Sequence, residues 1–256
     1  MKNILIACDL DNTLIHSYKQ KRDGDMCIEW IHDKEQSYIN KETYEQIEEL
    51  KMLARYTPLT TRSIEQYQRI NWKPGAEPEY AVTTNGAILL SNNERVSSWD
   101  ETSYKFMDEY RKDLDEILAM LESQKEDLNI RCRKVDEMYV FAYCEDGGSV
   151  ESIADTFSEK TRLRVEYFGR KIYFLPPQFN KGAALTRLKE KFAPEFVIAA
   201  GDSEIDIPML EIADLAYCKE SIIDKVSNKN KKIFTNETDL INSMLGDVRQ
   251  FSEVDL

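Results

Sequence analysis

Short apolar stretches alternate with amphipathic stretches over most of the chain. Residues 3–8 are rich in Ile and Leu and stop abruptly at an acidic residue, which is typical of a buried parallel strand. Residues 40–53 carry apolar side chains at helical spacing, and Asn40 is the expected N-cap. A loosely alternating hairpin is predicted between them, at 26–39. Further strands are predicted at 56–59, 80–84, 196–200, 215–218 and 232–234, and further helices after Ser63, at 181–192 and at 204–212.

The middle of the chain has a different order of elements. A long amphipathic helix at 101–123 is followed by strands at 128–135 and 138–144. A second helix beginning at Ser149 is followed by strands at 163–168 and 171–175. This order of helix, strand, strand, repeated once, predicts a small sheet covered by two helices on one face.

Strands that alternate with helices indicate an α/β fold with a doubly wound, Rossmann-like parallel sheet. We expect this core domain to comprise residues 1–88 and 177–256, with a small α+β domain, residues 89–176, inserted in sequence.

Composition indicates a soluble chain. Hydrophobic residues make up 42% and charged residues 32%, and no apolar run approaches the roughly 20 residues that span a bilayer. The first residues are too short an apolar stretch for a signal peptide, so we expect a cytoplasmic protein. The five cysteines are scattered, which argues against a disulfide framework or structural zinc.

A formal net charge of −13 disfavours binding to nucleic acid or to an anionic membrane, but it permits a small anionic substrate bound in one cationic cleft. Only two histidines are present, which gives little support to Ser-His or Cys-His catalysis. We expect a small phosphorylated metabolite as the partner, and a monomer or weak dimer.

Reactive side chains follow the predicted core strands at the ends where open parallel sheets bind ligands. Asp9 and Asp11 follow the first strand, Thr60 follows the second, and Asp202 and Asp206 follow the strand at 196–200. Lys181 begins the helix after the insert. Converging carboxylates need a cation, and hard oxygen ligands favour Mg²⁺.

This set of residues suits phosphoryl transfer. Asp9 would attack phosphorus and form an aspartyl phosphate, while Asp11, two residues on, would protonate the leaving oxygen and then activate water. Thr60 and Lys181 would bind the other phosphoryl oxygens. We therefore predict a Mg²⁺-dependent phosphatase.

The motifs Asp9-Leu-Asp-Asn-Thr, Thr60, Lys181 and Gly201-Asp-Ser-x-x-Asp resemble, in order, those of the haloacid dehalogenase (HAD) superfamily. An α-β-β repeat between the second and third motifs is similar to the cap of its Cof-like and sucrose-phosphate-phosphatase-like branch, which implies a sugar-like substrate. The resemblance implies that Asp9 is nucleophile and metal ligand, and that Asp11 is acid/base with its carbonyl on the metal. It also implies that Asp202 is a metal ligand, that Asp206 holds metal-bound water, and that the Asn12 backbone amide faces the phosphate.

Two positions depart from the family pattern. Thr61 stands where the Cof-like branch usually has Gly, and Ile205 stands where Asn commonly precedes the last Asp. Without that polar group, Asp206 is free to orient Lys181 or water in another way.

Arginines are candidates for substrate specificity. Arg131, Arg133 and Arg164 alternate with apolar residues in the insert, which predicts a face that recognises a second anionic or polyhydroxyl group, or an ordinary solvated face. Arg62, after the second strand, either contacts substrate or forms a structural ion pair.

Two other functions remain compatible with the motifs. A phosphomutase of the phosphomannomutase type shares all of them but returns the phosphoryl group to substrate. A non-catalytic protein that binds a phosphate ligand is the second alternative.

Overall fold

The structure is a computed structural model that describes residues 3–146 and 149–253. They form two compact units, one up to Arg95 and again from Lys181 on, the other Val96–Asn180. The predicted boundaries, after residues 88 and 176, lie several residues before these. That the two units act as separate domains remains a prediction.

Strands and helices alternate as follows. The strands are β1 (Ile4–Cys8), β2 (His16–Ser17), β3 (Asp25–Ile31), β4 (Lys34–Asn40), β5 (Arg55–Pro58), β6 (Tyr80–Thr83), β7 (Ile88–Ser91), β8 (Glu94–Arg95), β9 (Ile130–Val135), β10 (Tyr139–Cys144), β11 (Arg164–Phe168), β12 (Lys171–Leu175), β13 (Phe196–Gly201), β14 (Leu215–Cys218) and β15 (Lys231–Ile233). The helices are α1 (Lys41–Leu53), α2 (Ile64–Gln68), α3 (Ser97–Ser123), α4 (Val150–Ser158), α5 (Lys181–Phe192), α6 (Ile207–Glu211) and α7 (Glu237–Glu253). Among the described residues, no helix combines the length and apolar character needed to cross a membrane.

A five-stranded parallel sheet, in the order β15-β14-β13-β1-β5, forms the core of the first unit. Every residue of β1 is buried. Cys8, the last residue of β1, lies opposite Pro58 of β5 and Ala200 of β13, so these three strands end at one edge. The predicted fold class is confirmed.

The segment predicted as the third strand forms β6, which lies beside the end of β5 and also begins a hairpin. β6 pairs antiparallel with β7, and its link to the main sheet is a single bridge between Leu59 and Val82. The cause is local, because Thr84 and Asn85 adopt left-handed backbone conformations, with φ of 55° and 52°, that turn the chain back on itself. The hairpin predicted at 26–39 forms as β3 and β4.

The second unit has the predicted repeat, with a four-stranded antiparallel sheet in the order β11-β12-β10-β9. One face of its two central strands is completely buried beneath α3 and α4 and carries Val140, Ala142, Ile172 and Phe174. The helix α3 begins four residues earlier than predicted, at Ser97.

Phe157 of α4 anchors this second core, since it is 1% exposed and its ring meets Phe174 edge-on. We expect Phe157→Ala to lower the free energy of unfolding by about 3 to 5 kcal/mol, because a large buried side chain leaves a cavity. Denaturant titration measures the change. Phe168→Ala is the matched control, because Phe168 is 58% exposed; a similar loss in both variants would contradict this packing.

Candidate active site

Asp9 is the residue at which β1 leaves the sheet. Its backbone N–H donates to the carbonyl of Ala200 at 2.9 Å, which keeps it in register with the end of β13. The residue is 6% exposed, so its carboxylate is held in a largely dry environment at the edge where β1, β5 and β13 end.

Lys181, the first residue of α5, extends its ammonium group to this carboxylate. The side chain is fully buried, and Nζ donates to Oδ1 of Asp9 and to Oδ1 of Asp206. The next residue, Gly182, permits the approach of α5 to α6, since a Cβ there would lie 2.6 Å from the carbonyl oxygen of Pro208.

Asp206 closes the loop that follows β13. Its Oδ2 accepts hydrogen bonds of 3.0 Å from the backbone N–H groups of Asp202 and Ser203 and from the Ser203 hydroxyl. With Lys181 on Oδ1, both oxygens of Asp206 are engaged. This arrangement favours Asp206 as the residue that orients Lys181, and it forms with Ile205 in place of the usual Asn.

Carboxylate oxygens of Asp9, Asp202 and Asp206 lie within 4.8 Å of one another. The hydroxyl of Thr13 joins two of them, at 3.4 Å from Asp9 Oδ2 and 3.3 Å from Asp202 Oδ1. The donor set consists of hard oxygens with no sulfur or nitrogen ligand, and it fits Mg²⁺.

Electrostatics point to the same requirement for a cation. Burial, opposed by Lys181 and reinforced by the neighbouring carboxylates, raises the pKa of Asp9 well above its ordinary value. Burial and the charge of Asp206 raise the pKa of Asp202 to about 6. Burial lowers the pKa of Lys181, but Asp206 and Asp9 outweigh it and the net shift is upward. The ammonium group alone does not neutralise these carboxylates.

Thr60 lies at the same edge, because Leu59 N–H donates to the Cys8 carbonyl at 2.8 Å. Its hydroxyl oxygen accepts from the Arg62 N–H at 3.1 Å, which leaves the hydroxyl proton to donate. Asn12 is in the left-handed region, with φ of 61°, and its N–H donates to the Ile15 carbonyl at 2.7 Å. This arrangement does not support the predicted phosphate contact of the Asn12 amide.

Asp11 and Arg62, predicted separately, form an ion pair. The two carboxylate oxygens of Asp11 accept from Nε and Nη2 of Arg62, each at 2.8 Å. The Asp11 side chain is 44% exposed, whereas that of Arg62 is 10% exposed. Of the two readings of Arg62, the structure contains the ion pair.

The three arginines of the second unit share one face of its sheet, opposite the helices. Arg131 lies across from Tyr143 and Arg133 across from Phe141, and Arg164 pairs with Leu175. Arg131 forms an ion pair with Glu145, and Arg164 with Glu166. This face is more aromatic than the alternation in β9 and β11 indicates, because the central strands β10 and β12 have apolar residues on both faces.

Sequence reasoning missed several residues that build the site. Gly182 and Gly201 stand beside Lys181 and Asp202, and glycine next to a candidate catalytic residue is a signal of close backbone approach. Thr13 lies within the first motif, but its position there does not indicate that its hydroxyl joins Asp9 and Asp202. Glu29, which accepts from Arg62 at 3.0 Å, is distant in sequence and gave no signal.

Comparison with known proteins agrees with the fold. Residues 120–242, just under half of the chain, match the sequence model of the haloacid dehalogenase-like hydrolases. No curated protein sequence is significantly similar to the chain. The motifs, this partial match and the fold are each similar to those of the haloacid dehalogenase-like hydrolases.

Solved structures of phosphatases share the fold over nearly the whole chain. The sucrose-phosphatase of Synechocystis sp. PCC6803, solved with sucrose and phosphate, is 17% identical with a TM-score of 0.67, covering 97% of this chain and 99% of that chain. Trehalose-6-phosphate phosphatase of Aspergillus fumigatus is 12% identical with a TM-score of 0.54, covering 97% and 93%. A HAD phosphatase from Bacteroides thetaiotaomicron is 12% identical with a TM-score of 0.60, covering 97% and 96%. At these identities the likeness is one of fold.

Gly201 sets the distance between the end of β13 and Asp206, since a Cβ there would lie 2.3 Å from Asp206 Cβ. We expect Gly201→Ala to lower the free energy of unfolding by about 1 to 3 kcal/mol, through overpacking. Gly246→Ala is the control: apart from its chain neighbours and the backbone of α7 itself, no described heavy atom lies within 4 Å of that Cβ position, and removing a helical glycine should stabilise by about 0.5 to 1 kcal/mol. Equal denaturation midpoints for Gly201→Ala and the unaltered protein would exclude this contact.

Proposed function

We propose that the chain is a Mg²⁺-dependent phosphatase that hydrolyses a small phosphate monoester through a phosphate covalently bound to Asp9. The observation that carries the proposal is the contact of the buried Lys181 ammonium with Asp9, beside Asp202, at the carboxyl edge of the sheet. Residues 172 positions apart in sequence meet there around one carboxylate. The contact thus brings the proposed nucleophile together with a cation that can bind the oxygens of the transferred phosphoryl group.

The reaction proceeds in two steps. An Asp9 carboxylate oxygen forms a bond to phosphorus while the bond to the leaving oxygen breaks, and Asp11 donates a proton to that oxygen. Asp11 then takes a proton from water as the water oxygen attacks phosphorus, which releases inorganic phosphate and restores the Asp9 carboxylate. Lys181 and the Thr60 hydroxyl neutralise and hydrogen-bond the phosphoryl oxygens.

Asp9, Asp202 and the backbone carbonyl of Asp11 would hold Mg²⁺, with Asp206 behind them orienting Lys181. The ion supplies Lewis-acid stabilisation of the charge on the transferring phosphoryl group. The close carboxylates and the raised pKa of Asp9 support such a site.

A sugar-like phosphate is the substrate class that we favour. Two of the proteins with this fold are, by name, a sucrose-phosphatase and a trehalose-6-phosphate phosphatase. Stacked aromatic and guanidinium groups suit a polyhydroxyl ring, and Arg131 and Arg133 lie over Tyr143 and Phe141, at 5.3 and 6.0 Å from the ring centres. We therefore assign Arg131, Arg133 and Arg164 a role in specificity.

Removal of the nucleophile tests the mechanism. We expect Asp9→Asn to reduce release of inorganic phosphate from a panel of sugar phosphates with Mg²⁺ by at least about a thousandfold, because the amide cannot attack phosphorus. Asp11→Asn should leave phosphate bound to Asp9, detectable by mass spectrometry as an added phosphoryl group. Asp224→Asn, at an exposed position, is the matched control.

The outcomes separate the candidate functions. Full activity in Asp9→Asn excludes the covalent mechanism. Phosphoryl return to substrate that requires a bisphosphate primer, without release of phosphate, identifies a phosphomutase. Failure of the unaltered protein to act on any member of the panel, while it binds Mg²⁺, favours the non-catalytic binding protein.

Binding of Mg²⁺ should weaken in acid. The pKa of Asp202 is raised to about 6, so below that pH a proton occupies a carboxylate that the ion needs. We expect the rise in Tm caused by Mg²⁺ to shrink as the pH falls from about 8 to about 5, because a ligand stabilises the folded protein less as its Kd increases.

Asp202→Asn should abolish the Mg²⁺-dependent rise in Tm at both pH values, whereas Asp224→Asn should keep it. An equal rise at both pH values, or a full rise in Asp202→Asn, would exclude Asp202 as a ligand.

A further inference from the structure

Arg62 links Asp11 to a buried glutamate on the β3–β4 hairpin. All five N–H groups of its guanidinium have acceptors. The acceptors are both carboxylate oxygens of Asp11 at 2.8 Å, Glu29 Oε2 at 3.0 Å, the Gln66 carbonyl at 3.2 Å and the Ser37 hydroxyl at 3.2 Å. A planar fork held at every donor has one orientation, and it fixes the plane of the carboxylate that it binds.

Glu29 holds the other side of this fork. Its side chain is 4% exposed, and it accepts from the Ser37 hydroxyl at 2.6 Å and from Arg69 Nε at 3.2 Å as well as from Arg62. Two guanidinium groups and one hydroxyl thus surround this buried carboxylate. Arg62 therefore connects the two carboxylates, since it donates hydrogen bonds to both Glu29 and Asp11.

Asp11 needs external orientation. It lies beyond the end of β1, and its side chain is 44% exposed, so the fork of Arg62 adds orientation that burial alone does not supply. An acid must lie within hydrogen-bond distance of the leaving oxygen, and small misplacements of a catalytic group reduce the rate steeply.

We propose that Glu29 is a positioning residue for the acid/base Asp11, acting through Arg62. The inference rests on the proposed function, because it assigns Asp11 the proton transfer of that reaction. Through Glu29, the β3–β4 hairpin becomes part of the catalytic apparatus without contacting the phosphoryl group.

Two probe substrates that differ in leaving group test this role. Departure of p-nitrophenolate needs little proton donation, whereas departure of the more basic phenolate depends on it. For Glu29→Gln we expect kcat/KM on phenyl phosphate to fall roughly tenfold or more and that on p-nitrophenyl phosphate by less than about threefold, because kcat/KM covers the steps up to departure of the leaving group. A merely structural role would lower both alike.

Glu65→Gln is the matched control. Glu65 carries the same charge in the same network, but it is 85% exposed and binds Arg69, so both values of kcat/KM should stay within about twofold. Arg62→Lys should change the ratio in the direction of Glu29→Gln, since an ammonium group cannot bind Asp11 through a fork. Ser37→Ala, which keeps every charge, carries the test if Glu29→Gln does not fold.

An unchanged ratio in folded Glu29→Gln, or in Ser37→Ala where that variant carries the test, overturns the inference while the proposed function stands. Failure of the unaltered protein to release phosphate from either probe and from every member of the sugar-phosphate panel overturns both.

Discussion

A buried ammonium group, that of Lys181, is the constraint on which the site depends. An ion of this size loses several kcal/mol of hydration free energy on burial, so it is stable there only with charged partners in good geometry. Asp9 and Asp206 are those partners, one at the end of β1 and the other in the loop that follows β13. The charge balance remains negative even so, because Asp202 adds a third carboxylate. The protein thus has a local excess of negative charge that a divalent cation can neutralise.

Close backbone approach makes this geometry possible. Gly182 brings α5 against Pro208, and Gly201 brings the end of β13 against Asp206, at distances that no side chain would permit. Both glycines stand next to residues of the site. The two glycines determine the positions of the adjacent Lys181 and Asp202, so they contribute to the function as well as to the packing.

Peripheral elements contribute in different ways. The β3–β4 hairpin supplies the buried Glu29, and through Arg62 it determines the orientation of Asp11. The sheet of the second unit has one face packed under helices and another that combines aromatic rings with Arg131 and Arg133. We interpret the first as support for proton transfer and the second as the source of specificity.

Hydrophobic periodicity and acidic residues after strands are local signals, and they predict the parallel sheet, the inserted helix-strand-strand repeat and a cluster of carboxylates at the end of β1. The sequence did not indicate that β6 also pairs antiparallel with β7, since this hairpin follows from the left-handed backbone at Thr84 and Asn85. Nor did it indicate that Arg62 binds Asp11 and Glu29 together, because that depends on how a hairpin packs against a sheet edge. Such contacts join residues far apart in the chain, so they depend on tertiary packing that no local sequence pattern encodes.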